Sequence, residues 1–285
     1  MGHGKVKVNG KKFEVKDQYG QLRLEIYDTE LSDLSEIKGL EKLKKLDALD
    51  LSSNKITTIS GLDSLSDLKQ LFLNRNQITE ISGLDSLTNV DRIFLNKNQI
   101  TELKGLGNLT NLQWLEFKEN KIVSLKGLEG LTNMIQLNFE RNQITEIEGL
   151  ENLTNLQQLF LSRNAITEIK GLDKLSNLRF LRLDYNKITK IKGLDSLVSL
   201  ETLYLNANEI AEIKGLETLT NLETLYLDTN KITEIKGLEQ LDKLNLLYLG
   251  MNPFEWEEKK FGLDVMGVEH VKQLIQDYKE WKGIK

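Results

Sequence analysis

Residues 46–65 read Leu-Asp-Ala-Leu-Asp-Leu-Ser-Ser-Asn-Lys-Ile-Thr-Thr-Ile-Ser-Gly-Leu-Asp-Ser-Leu, and this single stretch contains two periods. Leu49 and Leu51 alternate with polar neighbours, which is strand spacing with both leucines on one face. Leu62 and Leu65 stand three apart behind Gly61, which suits a short 3-10 or helical turn. One strand and one turn cannot bury their own apolar faces. The stretch therefore needs copies of itself to pack against.

The copies are present. Asparagine recurs at Asn54, Asn76, Asn98, Asn120, Asn142, Asn164, Asn186, Asn208, Asn230 and Asn252, always 22 residues apart. Glycine keeps the same period from Gly39 through Gly61 and Gly83 to Gly237. Stacking about ten such units closes a core between a strand layer and a turn layer. Successive strands then pair in parallel at about 4.8 Å, giving a sheet roughly 45 Å long.

The fixed columns have physical reasons. After each strand the chain bends inward and leaves backbone groups that no ladder pairs. An asparagine amide both donates and accepts, so it satisfies them where aspartate or leucine would not. The glycines mark a turn where a side chain would crowd the backbone or φ is positive. Gly105-Leu106-Gly107 is accordingly a pair of turn glycines and not a nucleotide fingerprint.

These columns resemble the 22-residue class of leucine-rich repeats, which includes the internalins and the leucine-rich regulatory subunit of protein phosphatase 1. The resemblance covers roughly residues 22–254. It implies an α/β repeat fold, a right-handed solenoid or horseshoe. The expected form has a concave parallel β-sheet, a convex side of 3-10 or short helices, and caps at both ends. It implies binding rather than catalysis and transfers no partner.

The ends follow from the need to cover an open stack. Residues 1–21 read as an N-terminal β-hairpin cap, with residues 1–4 partly a cloning scar and Asn9-Gly10 suited to a type I′ turn. Residues 255–285 read as a C-terminal helical cap. There Val268, Val271, Leu274, Ile275, Tyr278 and Trp281 recur at helical spacing. Pro253, the only proline, marks where the repeat stops.

Composition narrows the function. Net charge is −5, which lends no overall support to a nucleic-acid or anionic-membrane partner. Cysteine is absent, and Met-Gly-His-Gly-Lys-Val-Lys-Val contains no apolar stretch of the signal-peptide kind, so a cytoplasmic setting is expected. The only histidines are His3 and His270, and no nucleophile motif accompanies them, so no catalytic residue, metal site or cofactor is expected.

Variation sits in the outward strand positions. The central outward column runs Asp50, Phe72, Phe94, Glu116, Asn138, Phe160, Arg182, Tyr204, Tyr226 and Tyr248. Six of these ten are aromatic against 7% of the whole chain, an enrichment that the fold does not demand. The preceding column adds Trp114 and Phe180, and Tyr185 lies at the edge of the same face. Phe72, Phe94, Trp114, Phe160, Phe180, Arg182, Tyr185, Tyr204, Tyr226 and Tyr248 are thus the candidate contacts to a protein or peptide.

The competing reading is an aromatic ladder that stabilises neighbouring strands without a partner. It leaves a structural, engineered or self-associating scaffold as the alternative, though a monomer is favoured. Arg75, Lys97, Arg141 and Arg163 share an edge column, while Asp184, Glu201, Glu223 and Asp228 lie on later strands. Singly these are solvated charges. As patches they would orient a dipolar partner.

Overall fold

The computed structural model describes residues 4–43, 45–254 and 264–283. His3 and residues 255–263 of the C-terminal cap lie outside the described residues, as do residues 1–3 of the suspected scar. The chain forms two compact units, one ending at Gln143 and one beginning at Ile144.

In the first unit, β1 (Lys5–Val8) and β2 (Lys11–Glu14) pair antiparallel. Asn9 and Gly10 between them both have positive φ, at 48° and 80°, as a type I′ turn requires. Val6 and Val8 are buried, and Lys7 exchanges two backbone hydrogen bonds with Lys38. A second hairpin follows, from β3 (Lys16–Gln18) to β4 (Gln21–Glu25). β4 pairs in parallel with β5 (Ala48–Asp50), and the parallel ladder continues through β6 (Gln70–Phe72), β7 (Arg92–Phe94), β8 (Trp114–Glu116) and β9 (Gln136–Asn138).

The second unit repeats the scheme with β10 (Gln158–Phe160), β11 (Phe180–Arg182), β12 (Thr202–Tyr204), β13 (Thr224–Tyr226) and β14 (Leu246–Tyr248), all parallel. It ends with β15 (Asp264–Met266), which is antiparallel to β14, and the helix α1 (Val268–Lys282). Val271, Leu274, Ile275 and Tyr278 are buried as their helical spacing predicts. Trp281 does not complete that stripe: it is 46% exposed, with Lys282 Nζ 5.2 Å from its ring centroid.

Each repeat strand from β5 to β14 buries its central leucine or isoleucine completely, from Leu49 and Leu71 in the first unit to Leu247 in the second. Phe117 and Phe139, which replace core leucines, stack at 5.4 Å inside the first unit. The turn layer has 3-10 character in an interrupted form. Leu65 N–H donates to Leu62 C=O, and Leu68 N–H donates to Leu65 C=O. Bonds spaced three residues apart make successive turns rather than a continuous helix. Among the described residues, only Leu34–Glu36 and Leu40–Lys42 are regular 3-10 helices.

The asparagine column satisfies the backbone as the chemistry demands. Asn76 Nδ2 donates to Leu51 C=O of the preceding repeat and Leu73 C=O of its own, while its Oδ1 accepts from Ile56 N–H. Each such amide staples two neighbouring repeats. The residue before each asparagine is in the left-handed region throughout, from Ser53 (φ 55°) to Met251 (φ 56°). Thr229, at φ 58°, is the β-branched member of this column. Left-handed backbone costs an L-residue about 1–2 kcal/mol, and more when branching crowds it. Thr229→Gly is therefore expected to stabilise the protein by about 1 kcal/mol. The measurement is the urea midpoint, and an unchanged or lowered midpoint contradicts it.

Candidate partner-binding surface

The outward columns of the first unit bring Phe72 and Phe94 together. They are register partners on β6 and β7, and their rings stack at 4.7 Å and 3°. The guanidinium of Arg23, on β4, lies 4.8 Å from the Phe72 ring centroid. Glu25 and Asp50 hold it there, at 3.0 and 3.3 Å. Trp114 sits under Arg92, its register partner, at 4.7 Å. Glu116 then interrupts the apolar surface, accepting hydrogen bonds from Asn96 and Gln136. Arg23 and Arg92 were absent from the sequence-derived set. For Arg92 the signal was available, because equal repeat length places it directly beside Trp114.

The second unit holds the longer row. Phe160 packs on Phe180 at 5.2 Å, and Phe180 on Tyr204 at 5.4 Å, both tilted. Tyr204, Tyr226 and Tyr248 then stack almost parallel at 4.2 and 4.4 Å. Parallel pairing in register makes this possible: Arg182, Tyr204, Tyr226 and Tyr248 occupy the same position on successive strands. Arg182 closes one end of the tyrosine stack at 4.8 Å from the Tyr204 ring, itself held by Asp184 at 3.1 Å. Burial pushes the Tyr226 phenol pKa up.

Tyr185 stands apart from this row. It is the left-handed residue of its repeat (φ 54°), lies under the Arg163 guanidinium at 4.0 Å, and is 47% exposed. The strand-borne aromatics are half-buried instead, because each covers its neighbour. The stacked rings thus cover one another's faces.

The repeats match the family model for paired leucine-rich repeats at residues 45–86, 110–152, 154–196, 176–218 and 198–240, which is more than half of the chain. The protein belongs to the leucine-rich-repeat family. Among solved structures it is similar to an internalin (inlF) from Listeria monocytogenes, at 31% identity and TM-score 0.66, over 81% of this chain and 74% of that one. A leucine-rich-repeat protein of Leptospira interrogans matches at 26% identity and TM-score 0.66, covering 83% and 72% respectively. Internalin C2 of Listeria monocytogenes matches at 28% and TM-score 0.57, covering 72% and 80%. Among curated proteins no match is found. Leucine-rich repeats commonly serve as protein–protein interaction modules. Among the described residues, no helix is long and apolar enough to cross a membrane, and no group of three or more His, Asp or Glu is placed to hold a metal ion.

Proposed function

We propose that this leucine-rich-repeat protein is a non-enzymatic, cytoplasmic interaction module that takes a protein or peptide segment on the strand face of its second unit. The observation that carries the reading is the continuous row from Phe160 through Phe180 and Tyr204 to Tyr248, extended sideways by Arg182. Tyrosine and arginine supply much contact area at small entropic cost, and here they are already held rigid by their stacking. Phe72, Phe94 and Trp114 offer a second, smaller platform on the first unit.

The parallel stacking also favours the ladder reading, and the two separate experimentally. Tyr→Phe at positions 204, 226 and 248 keeps the rings and removes the hydroxyls. Tyr→Ser at the same positions removes both. A stacked pair contributes about 0.5–1.5 kcal/mol beyond area burial. The serine triple variant is thus expected to lose about 1–3 kcal/mol of stability while remaining folded. Peptides selected from a displayed library on the wild-type protein are expected to lose binding to the serine variant below its melting temperature. If selection enriches nothing, or the peptides bind the folded serine variant equally well, the ladder is purely structural.

A further inference from the structure

The N-terminal hairpin has a charge pattern unlike the rest of the chain. Residues 5–16 hold five lysines and one glutamate, in a protein whose net charge is −5. Lys7 and Lys12 are register partners on β1 and β2, so they stand directly opposite each other on one face of the pair. On the other side of β1, Lys7 bridges to Lys38 through backbone hydrogen bonds of 3.0 and 2.8 Å. Lys12, Lys7 and Lys38 thus form a row of like charges across three chain segments, about 10 Å long. Like charges placed directly opposite each other destabilise a sheet.

Edge protection explains only part of the row. Lysines on a free strand edge discourage unwanted pairing, which accounts for Lys11 and Lys12 on β2. β1 is not an edge, because β2 and Lys38 flank it. Within the repeats, lysines commonly have carboxylate partners. Lys69, Lys118, Lys170 and Lys231 pair with Asp47, Glu140, Glu146 and Glu209 at 2.8–2.9 Å. Lys5, Lys7, Lys12, Lys38 and Lys42 make no ion pair among the described residues. The Lys38 ammonium donates to Ser35 C=O at 3.0 Å. The nearby Glu36 carboxylate is taken up by the N–H groups of Ser32 and Asp33.

The row borders an open recess of about 580 Å³. Lys5, Lys7, Lys38 and Lys42 line this recess, with Glu41 as its single carboxylate among the described residues. We propose that this basic recess binds an extended peptide segment rich in glutamate or aspartate, whose carboxylates accept from Lys7, Lys12 and Lys38. Alternate side chains of an extended segment stand about 6.6 Å apart on one face, so two carboxylates fit along the row. A duplex or a bilayer surface is broader. It would also meet Glu41 and Glu14, which is the register partner of Lys5, and the negative charge of the whole chain. This is a second surface, on the first unit, and it uses none of the residues of the tyrosine row.

The test uses the whole protein and two fluorescein-labelled nine-residue peptides. One alternates glutamate with threonine, and the other carries glutamine at every glutamate position. Fluorescence anisotropy is expected to show the glutamate peptide binding about tenfold tighter than the glutamine peptide, with the difference shrinking as salt rises. K7Q/K38Q is expected to lose about tenfold for the glutamate peptide and little for the glutamine peptide. K174Q/K187Q makes the same charge change at exposed lysines of the second unit and is expected to bind like wild type. The triple tyrosine-to-serine variant is also expected to bind like wild type. In a thermal melt K7Q/K38Q is expected to match or exceed wild type, because it removes a repulsion. Should loss of the Lys38 bond to Ser35 disturb folding, K7Q/K12Q is read in its place.

Equal losses in K7Q/K38Q and K174Q/K187Q overturn the proposal, because net charge would then be the cause. Equal binding of the two peptides, or binding of neither, also overturns it and leaves the tyrosine row untouched. Loss of the glutamate peptide in the tyrosine-to-serine variant would move its site to the second unit and overturn the assignment to the hairpin. Phosphatidylserine vesicles and oligothymidylate are run as competitors. If either binds more tightly than the glutamate peptide and does so through Lys7 and Lys38, the recess serves a different polyanion and the acidic-peptide assignment falls.

Discussion

Asn208→Leu is expected to destabilise the protein by about 3–5 kcal/mol, among the largest losses a single substitution here produces. Asn208 Nδ2 donates to Leu183 C=O at 2.9 Å and to Leu205 C=O at 3.0 Å, and its Oδ1 accepts from Ile188 N–H at 3.0 Å. All three bonds are buried, and they join two consecutive repeats. Leucine has nearly the same volume and is more apolar, so a gain is the naive expectation from hydrophobicity. The lost amide leaves the Ile188 N–H without a partner, however, and takes one of two donors from the Leu183 and Leu205 carbonyls, which keep only Asn186 and Asn230. An orphaned buried donor costs about 1–3 kcal/mol and each further lost bond about 0.5–1.5 kcal/mol. Urea unfolding followed by circular dichroism reads the loss. An Asn208→Leu midpoint equal to wild type would mean that water reaches these groups, and the staple account would be wrong. Asn142, whose side chain makes the same pattern of donated bonds but is only half-buried, is the internal comparison: its leucine variant is expected to lose less.

The asparagine column was legible in the sequence because one side chain meets a need that recurs every 22 residues. The buried leucines and the Asn9-Gly10 hairpin were legible for similar reasons, since each is a local chemical solution to a local backbone problem. β3 was not read. Its hairpin turns at Tyr19-Gly20, where Tyr19 adopts φ 55° without the usual asparagine or aspartate, and Asp17 accepts from Gly20 N–H instead. β15 was equally hidden, because its place is set by the free edge of β14 rather than by any pattern in Asp264–Met266.

At the candidate surface, the aromatic column was visible from alternation alone, but its state was not. Period-two reasoning says which way a side chain points, not whether its neighbour in the next repeat covers it. Phe72 and Phe94 at 4.7 Å, like Tyr204 and Tyr226 at 4.2 Å, are as much partners as exposed surface. The Arg23 lid is hidden in the sequence because it lies in the degenerate first repeat, 25 rather than 22 residues before its register partner Ala48. Once repeat length is known to be register, charges such as Arg92 and Arg182 can be assigned to rings by adding or subtracting 22.

Register also makes the glycine column unequal, and this yields the second large effect. Gly61 and Gly83 occupy the same position in adjacent repeats of the first unit and have similar backbones, with φ of 75° and 64°. A sequence comparison treats them as equivalent. In three dimensions a Cβ on Gly83 would stand 2.4 Å from the carbonyl oxygen of Ile59 and 3.1 Å from its carbon, so backbone would have to move. A Cβ on Gly61 would meet nothing within 4 Å. Gly61 borders an open recess beside the N-terminal hairpin, lined by Lys5, Lys7, Leu34 and Gly39 among others. The irregular turn before it leaves that space unfilled. Both substitutions to alanine incur the left-handed penalty of about 1–2 kcal/mol. Only Gly83→Ala adds a clash against backbone, which over-packing studies place at about 1–3 kcal/mol. Gly83→Ala is therefore expected to cost about 3–4 kcal/mol and Gly61→Ala about 1–2 kcal/mol, both read from urea midpoints. Equal losses at the two positions would assign the whole column to φ alone. The observed closeness of successive repeats would then have no part in selecting glycine.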